Sequence, residues 1–164
     1  MFTLIILLFF AILIPGLIFL IQGPPYVPSN DNFTKTVVEE IKKLKPKKIL
    51  DMGSGDGKLV IALAKAGFNV EGVELNPWLV LRSKRAIRKL GLEYKATIRW
   101  GNFWRYDTSS YDVIILYVIK HIMPRLEEKL TTELHKGSYI ISNYFVFPNL
   151  KPVKSDGRMR VYKV

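Results

Sequence analysis

The stretch Ile49-Leu50-Asp51-Met52-Gly53-Ser54-Gly55-Asp56-Gly57-Lys58 constrains this chain more than any other, because three glycines at alternate positions follow a short apolar run. Such a turn reaches dihedrals closed to other residues and lets the backbone approach a ligand with no Cβ in the way. Lys47 to Asp51 predicts a strand before it, and Leu59 to Lys65 has helical character after it. Two phosphate-binding turns are excluded. In a G-x-G-x-x-G fingerprint the third glycine would stand where Lys58 does, and G-x-x-x-x-G-K-[ST] is absent.

The rest of the chain continues the alternation. Thr36 and Glu39 form a capping-box pattern, with Val37, Val38, Ile41 and Leu44 on one face of a short helix closed by Pro46. Asn69 to Glu74 reads as a second strand. Asn76 as N-cap and Pro77 at the first helical position then open a helix to Leu90, stopped by Gly91. Tyr94 to Trp100 predicts a third strand and Asp112 to Val118 a fourth; Leu126, Leu130 and Leu134 mark a helix, and Ser138 to Asn143 a fifth strand. Alternating strands and helices predict an α/β fold, a mainly parallel sheet with helices on both faces. The tail breaks the pattern: Ser155, Asp156 and Gly157 predict a turn into a final antiparallel edge strand, Met159 to Val164.

The N-terminus is of another kind. Phe2 to Ile21 carries no charge, and a helix of that length covers roughly 30 Å of hydrocarbon. The reading is one transmembrane helix, residues 1–22, with Pro15 and Gly16 marking a kink or a close helix contact. A cleaved signal peptide is the alternative, disfavoured by the absence of a basic leading region and of a small-x-small cleavage pattern. Residues 23–32, GPPYVPSNDN, form a proline-rich connector, and 33–164 the folded domain. Lys and Arg follow the span and none precedes it, which places the domain on the cytoplasmic face of a single-pass membrane protein. In a eukaryote that membrane would be the mitochondrial inner one, while the missing basic presequence suggests a prokaryotic plasma membrane instead.

With no cysteine and two histidines, disulfides, thiolate zinc and Cys nucleophiles are excluded and no metal site is expected. A net charge of +11 attracts an anionic partner: nucleic acid, an anionic leaflet or an acidic protein. Arg82, Lys84, Arg85, Arg88 and Lys89 crowd one helix, and Lys42, Lys43, Lys45, Lys47 and Lys48 another region. Juxtamembrane cations contribute about 1 kcal/mol each near an anionic surface. Each is also explained as an ordinary solvated charge.

Taken singly, Asp51 is a strand-end turn cap and Glu74 a helix-dipole partner. Taken together, the D-x-G-x-G-x-G run resembles motif I of class I S-adenosylmethionine-dependent methyltransferases, where the turn wraps the methionine moiety and the acidic group lies near its ammonium. Glu74, about twenty positions after the glycines and at a strand end, suits both ribose hydroxyls. Gly101, Asn102 and Phe103 follow the third strand where such enzymes hold adenine, with Asn102 in place of the usual acid.

The order of six segments narrows the resemblance: the apolar N-terminus, PYVPS from Pro25, DMGSGDGKLVIALAKAGF from Asp51, ELNPWLV from Glu74, GNFW from Gly101 and MPRLEEKL from Met123. Together they resemble the membrane-associated protein lysine methyltransferases related to the mitochondrial enzymes that modify the c-ring protein of ATP synthase and the adenine nucleotide translocase. The resemblance implies a class I, Rossmann-like fold, S-adenosyl-L-methionine as cofactor, and a lysine of a membrane protein as target. It implies that Asp51, Gly53, Gly55, Gly57, Glu74, Leu75, Asn76, Asn102 and Phe103 line the cofactor site, with Tyr26, Pro28 and Ser29 folding over it. It departs from the family around Ile119, Lys120 and His121, where the family has a more apolar, proline-containing segment.

Methyl transfer from a sulfonium needs chiefly in-line placement of a neutral amine, so the demand on acid–base residues is small. Tyr26, Tyr117 and His121 are the candidate catalytic groups. Tyr26, Trp78, Trp104, Tyr117, Tyr144 and Phe145 could line a dry channel, although ordinary core packing is the better account of most of them. YVIKHIMP stands after the fourth strand in place of N-P-P-Y, which disfavours base methylation and so a nucleic-acid substrate. The rival readings are a small-molecule or lipid amine methyltransferase and a non-catalytic cofactor-binding scaffold. Oligomeric state is not legible.

Overall fold

The computed structural model describes residues 4, 6–14 and 31–164, so the expectations for Tyr26, Pro28 and Ser29 and for much of the apolar span lie outside the described residues. Residues 6–14 are helical, with Leu7, Leu8, Phe9 and Ile12 exposed. Among the described residues no helix is long and apolar enough to cross a membrane.

The first helix of the domain, α1 (Asp31–Leu44), starts earlier than the capping box suggests. Phe33, Val37 and Ile41 recur every fourth residue and all are buried, so burying Phe33 draws the helix back over Asp31 and Asn32, which the sequence reading left in the connector. Thr36 is therefore not an N-cap; its hydroxyl donates to the carbonyl of Asn32 one turn back at 2.9 Å, and Glu39 pairs with Lys42.

Strand and helix then alternate: β1 (Ile49–Met52), α2 (Lys58–Lys65), β2 (Val70–Glu74), α3 (Pro77–Lys89), β3 (Ala96–Trp100), β4 (Val113–Leu116), α4 (Met123–Glu133), β5 (Tyr139–Asn143), β6 (Lys154–Asp156) and β7 (Met159–Lys163). Several strands are shorter than expected, and at the entrance of β1 a side chain takes up the backbone donors. The Asp112 carboxylate accepts the backbone N–H groups of Lys47 at 2.7 Å and Lys48 at 2.8 Å, so a side chain rather than a neighbouring strand takes these two donors.

The sheet runs β3-β2-β1-β4-β5-β7-β6. The first five strands pair in parallel, and β7 lies antiparallel to both β5 and β6. The expected antiparallel strand is present, but it is not the edge: β7 sits between β5 and β6, and Ser155 and Asp156 belong to the edge strand β6. Period-two alternation sends side chains to two cores. Ile49, Val113, Ile115 and Ile141 pack under α1, α2 and α3, while Leu50, Met52, Ile114, Leu116 and Ile140 pack against α4. With both faces covered, ligands have the crevice beyond the carboxyl ends of the strands, where β1 and β4 lie side by side and the strand order reverses.

Candidate cofactor site at the carboxyl ends of the strands

The chain leaves β1 through a turn whose Gly53, Gly55 and Gly57 all have positive φ, at 83°, 56° and 78°. Gly57 also has no room for a side chain: a Cβ there would lie 2.8 Å from that of Ser83 on α3. The turn is tied to β2, since the N–H groups of Gly53 and Ser54 donate to the Val73 carbonyl at 2.8 and 3.1 Å.

Glu74, at the end of β2, holds this region through backbone groups. Its Oε2 accepts the Gly55 N–H at 2.9 Å and its Oε1 the Asn76 N–H at 2.8 Å, while its carbonyl accepts the Gly101 N–H at 2.9 Å. Each carboxylate oxygen thus uses one of its two lone pairs, leaving acceptor capacity on both. Asn76 is the N-cap of α3 and accepts from Trp78 and Leu79; the Leu75 carbonyl accepts from the Trp100 indole at 2.9 Å. Asn102 caps the short 3-10 helix Phe103–Arg105 through the Trp104 N–H, and the Phe103 and Trp104 rings lie 5.0 Å apart.

Asp51 is buried at the end of β1, on the sheet face covered by α1. Burial pushes its carboxyl up to about 7, and the neighbouring Glu74 charge adds to the rise. Among the described residues, two buried side-chain oxygens have no hydrogen-bond partner: Ser54 Oγ, within the glycine turn, and Asn143 Oδ1, at the end of β5. The N-terminus of α1 comes to the same end of the sheet. Asp31 pairs with Lys58 of α2 at 2.6 Å, and the Phe33 ring lies 6.4 Å from that of Tyr117.

These contacts bring together Asp51, the three glycines, Glu74, Leu75 and Asn76, with Asn102 and Phe103 on the adjoining loop. Tyr117 lies beyond β4 under Phe33, and His121 is exposed on the 3-10 helix Lys120–Ile122. Trp78 is 78% exposed and so stands outside any enclosed channel; Trp104 stacks under the Arg125 guanidinium, 4.5 Å away. Sequence reasoning missed Asn143 and Ser54. The one signal for the first is a carboxamide closing the buried strand YIISN. A groove of about 470 Å³ beside β3, lined in part by Lys84, Arg88, Arg99 and Trp100, contains none of the predicted cofactor residues.

The ANTKMT methyltransferase domain model matches residues 51–154. The chain is 37% identical over 128 residues to a lysine N-methyltransferase of Xenopus laevis named for the c-ring protein of ATP synthase, covering 78% of this chain but only 56% of that protein. It is 31% identical over 142 residues to a protein-lysine N-methyltransferase of Saccharolobus islandicus, covering 82% of this chain and 88% of the relative. Among solved structures, an RNA methyltransferase from Salinibacter ruber in complex with S-adenosyl-L-homocysteine superposes with a TM-score of 0.74 at 25% identity, over 83% of this chain and 91% of that one. The similarities converge on the same Rossmann-like methyltransferase fold.

Proposed function

Since this chain belongs to the ANTKMT methyltransferase domain family, we propose that it is an S-adenosylmethionine-dependent N-methyltransferase that modifies a lysine side chain of a membrane protein. The observation that carries the cofactor reading is the juxtaposition of a buried carboxyl, Asp51, with a turn of three positive-φ glycines clamped by Glu74. The residues fit the group. Asp51 lacks a cation in an environment that disfavours its charge, which an ammonium would offset; Gly57 keeps the backbone close; Glu74 retains lone pairs for two ribose hydroxyls. When bound, the cofactor supplies an already activated sulfonium methyl group.

The work left to the protein is orientation and the exclusion of water. Tyr117 and Phe33 form an apolar wall beyond β4, where desolvation favours the neutral form of a lysine amine whose ordinary pKa is about 10.4. Leu75, Asn76, Asn102 and Phe103 border the adenosine end through backbone and ring surface. Tyr26 and Ser29 lie in the connector just before Asp31, close in sequence to the site, which supports their folding over it.

The lysine target rests on relatives named for protein-lysine N-methylation. The membrane setting rests on the uncharged run Phe2 to Ile21, on the exposed apolar helix over 6–14, and on the position of Asp31, where α1 meets the cofactor end of the sheet. On this reading residues 1–22 anchor the chain, and the basic side chains of α3 face an anionic leaflet, about 1 kcal/mol each. Incubation of the full chain with tritiated S-adenosylmethionine and detergent-treated host membranes tests it. Label in lysine of a polypeptide is expected; label in lipid alone would move the substrate to a lipid amine, and cofactor binding without transfer would leave a scaffold. Flotation with vesicles, compared with a chain lacking residues 1–30, tests the anchor.

A further inference from the structure

Two anomalies coincide at the end of β5. Asn143 is 5% exposed and its Oδ1 has no partner among the described residues. The next residue, Tyr144, has a φ of 71°, and the Phe145 N–H donates to the Asn143 carbonyl at 2.9 Å, the signature of a strained three-residue γ-turn. Neither feature benefits folding: an unpaired buried carbonyl forfeits its hydration, and a positive φ at an aromatic residue is unfavourable. Strain and unsatisfied polarity at one place point to a site.

Its location follows from the register. β4 and β5 pair in step, Val113 with Tyr139 through Leu116 with Ser142, so the next step sets Tyr117 beside Asn143. β1 and β4 pair Asp51 with Ile115, so the same row begins at Gly53. Alternation turns Tyr117 and Asn143 to the Asp51 face, under the Phe33 end of α1. Asn143 therefore shares a wall with Tyr117, two strands from the glycine turn.

Resting on the methyltransferase reading above, we propose that Asn143 Oδ1 is the acceptor that receives an N–H of the substrate's primary amine and orients its lone pair toward the methyl donor. A carboxamide suits this role, since it accepts from an amine without placing a charge that would hold the amine protonated. The γ-turn at Tyr144 fixes the strand end, keeping that oxygen from folding back on its own backbone.

The test uses the full chain and three readouts: melting temperature, S-adenosyl-L-homocysteine affinity by calorimetry, and tritium transfer to detergent-treated host membranes. N143L, nearly isosteric and apolar, is expected to melt at or above the wild-type temperature, to bind S-adenosyl-L-homocysteine within twofold, and to lose about tenfold or more in transfer. N143D, which keeps an oxygen in place, is expected to transfer better than N143L with its pH profile moved. Unchanged transfer by N143L overturns the proposal, as does a lower melting temperature in both N143L and N143S, which would make the amide structural. A parallel loss of S-adenosyl-L-homocysteine binding also overturns it, by assigning the oxygen to the cofactor's own amine. A wild-type chain that binds no S-adenosyl-L-homocysteine instead removes the methyltransferase reading, and the proposal with it.

Discussion

Oε2 of Glu74 accepts the backbone N–H of Gly55 at 2.9 Å, so the carboxylate read from sequence as a ribose ligand is also the clasp that shapes the glycine turn. Binding and turn geometry are coupled through one side chain. Glu74→Ala should lose both, with about 1–3 kcal/mol of stability from the freed N–H groups and about 100-fold in S-adenosyl-L-homocysteine affinity. Glu74→Gln keeps one carbonyl oxygen but turns an NH₂ toward a donor, and should fall between. Calorimetry and thermal melts on the same samples check both.

Asp51 gives a pH dependence of definite sign. Its carboxyl, at about 7 when folded against 3.8 as the ordinary value, keeps its proton in the ligand-free fold where the unfolded chain has lost it. This group's contribution therefore falls as pH rises from about 4 to about 7 and is level above, a change on the order of 4 kcal/mol. Asp51→Asn should abolish that slope in urea titrations. An ammonium ligand needs the ionised form, so S-adenosyl-L-homocysteine should bind more tightly as pH rises toward 7, with proton release at pH 6 detectable by calorimetry in two buffers.

Gly72→Ala should be far more harmful than Gly67→Ala. At Gly72 a Cβ would sit 2.6 Å from Ser54 Cβ and 2.7 Å from Ile98 Cδ1, pushing the glycine turn from beneath; about 2 kcal/mol or more and weakened S-adenosyl-L-homocysteine binding are expected. At Gly67 nothing lies within 4 Å and only the φ of +95° is strained, roughly 1 kcal/mol with binding unchanged. Urea denaturation separates the two.

Glu127 is the structural counterpart to Glu74. It is buried on α4 and accepts the N–H groups of Asn149, at 3.0 Å, and Leu150. Glu127→Ala should cost about 2–3 kcal/mol, as for a charge-assisted pair, while leaving S-adenosyl-L-homocysteine affinity within twofold, because α4 covers the face opposite Asp51. An affinity loss equal to that of Glu74→Ala would contradict the separation of the two faces.

Much of this was legible because the signals were local. Asn76 followed by Pro77 specifies a helix start whatever the surroundings, and the alternate glycines specify a turn. Where the outcome depended on a distant partner, sequence was silent or misleading. Thr36 and Glu39 match a capping box, but the burial of Phe33 keeps the chain helical upstream of them. Met159 to Val164 looked like an edge because nothing in its pattern reveals that Lys154–Asp156 pairs on its outer side. Asn143 looked like any strand-end residue, since its burial comes from segments far away in the chain.

The interior position of β7 bears on how the molecule is made. The strand that ends in Asn143 gains its second neighbour from residues that follow it in the chain. Until they leave the ribosome, Tyr139 to Asn143 is a naked, largely apolar sheet margin able to recruit another chain. A nascent chain that has emerged only as far as Asn143 thus carries an open, aggregation-prone margin, and the wall bearing the proposed amine acceptor is sealed only when β7 docks beside it.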